Sequence, residues 1–113
     1  MNKSLESVVI SNIKTQFPTA KIYTGLMIEG VSPDCFVINT ITDNFALAQS
    51  NYRARNTVIS VSVIEPTVDI TDELVSCLQS FVVEDVTVFP DSLEVANEDD
   101  IIRVFIDLTH IEQ

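Results

Sequence analysis

The 113-residue chain is 46% hydrophobic, enough apolar material for one core and too much for a disordered segment. Six Lys and Arg stand against 17 Asp and Glu, a formal net charge of -11, which excludes a nucleic-acid surface built on clustered cations. No stretch approaches the ~20 apolar residues that cross a bilayer, and Glu6 and Ser7 interrupt the start of the chain where an export signal is unbroken, so a cytoplasmic protein without a membrane partner is expected.

In chain order, Leu5, Val8, Val9, Asn12, Ile13 and Phe17 follow helical spacing with Lys3, Glu6, Ser11 and Lys14 opposite. This predicts an amphipathic helix capped by Asn2 or Ser4 and ended by Pro18, which pushes its predecessor out of helical backbone geometry. Residues 21–25 (KIYTG) read as a short strand, 26–29 are ambiguous, and 30–33 (GVSP) carry turn chemistry. Residues 35–42 (CFVINTIT) are apolar on both faces, Phe36 and Ile38 on one and Cys35, Val37 and Ile41 on the other, as in a strand covered on both sides. The periodicity fails over 43–51 (DNFALAQSN), which predicts a long loop or mobile hairpin tip, the irregular region where function is expected to sit. The strongest strand signal follows, 52–66 (YRARNTVISVSVIEP): Ile59, Val61 and Val63 define a dry face, Ser60 and Ser62 alternate with them, and Pro66 stops the run.

A second helix is predicted after Asp69, with Asp72 and Glu73 in its first turn and Leu74, Leu78 and Phe81 or Val82 as its buried stripe, joined by Ile70 and Cys77. Residues 84–89 (EDVTVF) read as one strand or extended link. Residues 92–96 and 101–109 form a hairpin around Asn97, Glu98, Asp99 and Asp100, with Ile102, Val104, Ile106 and Leu108 facing the core. The sum is a single α+β domain over residues 1–113, with two helices on one face of a largely antiparallel, possibly mixed, sheet.

A search for chemistry finds no catalytic or cofactor set. His110 has no second histidine or cysteine beside it and reads as an exposed tail residue. Cys35 and Cys77 lack a C-x-x-C spacing and read as reduced, core-filling thiols. Gly25 and Gly30 fit no phosphate loop. The one metal candidate is the acidic run Glu98, Asp99 and Asp100, whose oxygens suit a hard divalent cation and equally suit a solvated turn. Arg53 and Arg55 fall on one strand face, either bridged to local carboxylates or presented to an acidic neighbouring subunit.

The pieces FPTAKIYTG, GVSPDCFVI, YRARNTVISVSVIEP and IIRVFIDL, in this order, resemble a family of small tail terminator and minor tail-completion proteins from phages and prophages of Gram-positive bacteria. Asp34 departs from the family, whose members often place a second proline there, and this leaves the local turn open. The resemblance implies a non-enzymatic structural protein without cofactors. It further implies a ring, a hexamer on the tail, that caps the tail tube and joins it to the head connector. Its partners are then further copies of itself, the tail tube protein and a head-tail connector protein, and DNA passes through without specific binding. The implied location is the host cytoplasm during assembly and then the virion tail. On this reading Arg53 and Arg55 serve subunit contacts, and Asp43, Asn44, Phe45, Leu47, Gln49 and Asn51 face the lumen or the tube. The alternative from the residues alone is a small regulatory or ligand-binding module acting as monomer or dimer.

Overall fold

Eight consecutive residues from Thr57 to Ile64, five of them β-branched and apolar, make the middle of a sheet. The computed structural model describes residues 5–25, 33–49 and 52–112, and for 44–49, 52–53 and 111–112 the backbone alone. The expected caps Asn2 and Ser4, the ambiguous 26–29 stretch, most of the 30–33 turn and Asn51 lie outside the described residues.

Strand β3 (Tyr52–Ile64) lies at the centre of a five-stranded sheet of order β1-β2-β3-β7-β6. Its neighbours are β2 (Cys35–Gln49) and β7 (Ile101–Glu112), both antiparallel to it. β1 (Ile22–Thr24) adds parallel to β2 at one edge, and β6 (Ser92–Val95) adds antiparallel to β7 at the other. The sheet is therefore mixed. Helix α1 (Leu5–Gln16) and the short α2 (Thr71–Cys77) cover one face. A separate hairpin of β4 (Phe81–Val83) and β5 (Val86–Val88) packs beside them.

The core joins Leu5, Val9 and Ile13 of α1 to Phe36 and Ile38 of β2, Ile59, Val61 and Val63 of β3, and Ile102, Val104, Ile106 and Leu108 of β7. Each of these sets has the spacing of its element, a helical repeat on α1 and alternation on the strands. Asn12, read above as part of the apolar rhythm, uses its amide instead: Nδ2 donates to the carbonyls of Cys77 (2.9 Å) and Ser80 (2.7 Å), tying α1 to the end of α2. Asp69 supports the start of α2 one residue earlier than a direct cap, accepting from the Thr71 amide at 3.0 Å while Ile70 occupies the cap position.

Several expectations change. α2 stops at Cys77, so Leu74 is its buried residue and Leu78 is buried at its C-cap, while Phe81 is buried from β4 and Val82 is 61% exposed. The predicted 84–89 strand is a hairpin instead. Glu84 and Asp85 both have positive φ (52° and 66°), the geometry that turns a tight hairpin with the right-handed strand twist. Ser60 and Ser62 are almost as buried as the dry face, because each lies between two paired strands whose side chains cover it: Phe105 is the cross-strand partner of Ser60, and the Arg103 guanidinium donates to Ser62 Oγ at 3.3 Å. Ile41 does not join Cys35 and Val37 in burial; it sits at a bulge between Thr40 and Thr42 and is 50% exposed. Asp34, at the position that left the turn open, takes φ 66° and accepts from both the amide (2.8 Å) and the hydroxyl (2.9 Å) of Thr67. A short polar side chain tolerates that conformation and proline does not.

Candidate assembly surface

The region expected to be a long loop or a hairpin tip is strand as far as Gln49. β2 continues to Gln49 and pairs with β3 down to Gln49↔Tyr52, while β7 runs on beside β3 to Glu112. Of the two readings of 43–51, the hairpin is the one observed, with Asn51 outside the described residues. Past Thr57 and Leu108 the three strands leave the helix-covered core and form an arm. The molecule measures 49 × 24 × 23 Å along its principal axes.

The described side chains of this arm meet through polar contacts. On the helix-side face Arg55 clasps Asp43 with two bonds, Nε to Oδ1 at 2.8 Å and Nη2 to Oδ2 at 2.6 Å, and the Thr57 hydroxyl donates to Oδ1 at 3.1 Å. The paired guanidinium holds the Asp43 carboxyl below its ordinary value. His110 stands opposite Arg55 in the β3–β7 register, and its charge acts in the same direction on Asp43. His110 is therefore a half-buried strand residue and not an exposed tail. On the other face Asn56 Nδ2 donates to Asp107 Oδ1 (2.7 Å) and Thr109 Oγ1 (3.0 Å), and Thr109 donates to Asp91 at 2.6 Å. Polar side chains on both faces weaken the alternation by which a strand is recognised, so the sequence pattern leaves 43–51 open between a loop and a hairpin tip.

The expected site residues now have positions. Asp43, assigned to the loop, and Arg55, assigned to subunit contact, are joined to each other, which is the local-bridge alternative for Arg55. Arg53 lies on the arm between Leu47 and Glu112 in register. Asn44, Phe45, Leu47 and Gln49 lie along the arm's β2. Glu98, Asp99 and Asp100 form the turn before β7; Glu98 pairs with Arg103 at 3.2 Å, and among the described residues no three acidic, Cys or His side chains come together as a metal site. Cys35 and Cys77 are free thiols, and burial pushes that of Cys77 up to about 11.

Sequence reasoning missed an apolar patch. Val82 and Val86 on the β4–β5 hairpin and Phe89 just beyond it are each at least 60% exposed. Val86, Val88 and Phe89 border a groove of about 650 Å³ whose far wall is Thr109 and His110, at the base of the arm. The signal was present in the alternation of 81–89, where a single helix stripe followed by one strand was read.

An elongated strand arm thus stands beside a small helix-covered sheet. Residues 4–113 match the family model described as Phage tail terminator protein, and the chain belongs to that family. It is a structural protein of the phage tail. A comparison with curated proteins finds no match.

Proposed function

We propose that the chain acts as a ring that caps the tail tube at its head-proximal end and takes part in joining the tail to the head, without enzymatic activity. The observation that carries the reading is the family match over residues 4–113. Its partners are other copies of the chain, the tail tube protein and a head-tail connector protein. The net charge of -11 supports a conduit that DNA crosses without adhering, since a duplex and an acidic wall repel. Assembly takes place in the host cytoplasm, and the finished ring stays in the virion tail. A ring also needs each subunit to carry two different, complementary patches, and the arm offers two unlike sides.

Deleting the coding sequence from the phage or prophage that carries it tests this. Electron micrographs are expected to show tail tubes of irregular length, unattached to heads, with both defects rescued by supplying the chain in trans. Tails of normal length joined to heads in the deletion strain would refute it.

A further inference from the structure

Among the described residues the arm has two open backbone edges. β1 pairs with β2 only at Phe36, Val37 and Ile38, and β6 pairs with β7 only from Val104 to Asp107. Among the described residues no backbone hydrogen bond reaches the outer side of β2 beyond Ile38 or of β7 beyond Asp107.

The hydrogen bonds that are made say which groups point outward. Ala96 N–H donates to the Arg103 carbonyl and Asp91 N–H to the Asp107 carbonyl, so odd-numbered residues of β7 direct their backbone groups away from β3; Thr109 and Ile111 continue that series past the end of β6. On β2 the outward residues are Phe36 and Ile38 before the bulge, as the Lys21–Phe36 and Gly25–Ile38 bonds show. The bulge between Thr40 and Thr42 inverts the series, and Asp43, Phe45 and Leu47 point outward after it.

Exposed strand edges are ordinarily blunted by lysine, proline or a covering element. Neither Lys nor Pro occurs in 39–49 or 108–112. In a chain of net charge -11, the 39–49 run holds a single charged residue, Asp43, and Arg55 neutralises it. Like-charged copies repel least along such an edge. β2 and β7 are both antiparallel to β3 and so run in the same direction on opposite sides of the arm. Each edge is thus the complement of the other in a rotated copy, whereas a separate peptide would fill only one.

We propose that copies of this chain join head to tail by strand addition, the outer edge of β2 in one arm pairing in parallel with the outer edge of β7 in the next. The pairing rests on the ring reading above and names its contact. It follows the five residues 108–112 for roughly 16 Å, through the amides and carbonyls of Thr109 and Ile111 on one side and of Asp43, Phe45 and Leu47 on the other.

The test uses the full chain. Sedimentation across a concentration series compares wild type with Phe45→Pro and Ile111→Pro, each of which removes one outward N–H that the chain's own sheet does not use, and hydrogen exchange follows peptides covering 43–49 and 108–112. Wild type is expected to self-associate, with both peptides slowing in exchange as it does. Each proline variant is expected to keep the wild-type circular dichroism and to associate about tenfold more weakly, in line with the loss of one or two hydrogen bonds. Association that leaves either peptide exchanging as in the monomer, a dimer protected along β2 alone, or a wild type that stays monomeric throughout would overturn strand addition. If a variant fails to fold, the exchange data on wild type still decide. Tube length in the deletion strain judges the terminator reading separately, so either can fall without the other.

Discussion

The Arg55–Asp43 clasp is the contact that most directly ties the arm's residues to its shape, and its strength is measurable by a double-mutant cycle. The variants are Arg55→Ala, Asp43→Ala and the double, compared by urea unfolding at neutral pH and low salt. The bond is bidentate and charge-assisted, at 2.8 and 2.6 Å. In a dry site each such bond contributes about 1.5–3 kcal/mol. Here the Arg55 side chain is 13% exposed but that of Asp43 is 34% exposed, so solvent screens the pair and the coupling falls to about 1 kcal/mol, at the top of the range for surface pairs. For a chain of this size that corresponds to roughly 4 °C in Tm. The pH dependence has a definite sign. Because the folded-state carboxyl lies below its ordinary 3.8, the stabilisation is fully present above that value and disappears as pH falls below 3.8 through the folded-state pKa. A coupling indistinguishable from zero, or one that persists unchanged well below pH 3.8, would refute the assignment of the clasp as a stabilising contact. The charge reversal Arg55→Glu sets a second carboxylate against Asp43 and is expected to destabilise the arm more than Arg55→Ala does.

Val61→Ala, at a fully buried position of β3, is expected to cost about 1–3 kcal/mol in urea unfolding, and a loss below 0.5 kcal/mol would mean that the core closes over the deleted methyls. Asn12→Ala leaves the Cys77 and Ser80 carbonyls without their donor and is expected to cost about 1–2 kcal/mol; a neutral result would show that water replaces the amide. Replacing Glu84-Asp85 by Asn-Gly relieves two positive-φ residues and is expected to stabilise the chain by about 1 kcal/mol, read as a rise in Tm, whereas a fall would contradict the turn geometry. With its pKa pushed up to about 11, Cys77 is expected to alkylate at pH 8 far more slowly in the folded chain than in urea, as followed by mass spectrometry; equal rates would place the thiol in solvent.

What the sequence determined by itself was the helix-covered half of the molecule. Burial leaves periodicity: Leu5, Val9 and Ile13 on α1, Ile59, Val61 and Val63 on β3, and Ile102, Val104, Ile106 and Leu108 on β7 all face the core that their spacing requires. The family resemblance came from the same residues, since a sheet core and its turns carry most of the recognisable pattern. The arm was only half legible, as one of two readings of 43–51, for the complementary reason. Its residues are held by backbone ladders and by the polar pairs Asp43–Arg55 and Asn56–Asp107, which join residues 12 and 51 positions apart. Neither kind of contact imposes an apolar alternation on the sequence. The hairpin turn at Glu84-Asp85 was hidden too, because a two-residue turn with positive φ at both positions is signalled by Asn-Gly or Asp-Gly, and this pair carries no glycine. Only the tertiary structure decided which edges of the sheet stay open among the described residues. That depends on where β1 and β6 stop beside longer neighbours, a difference in strand length that no single segment records.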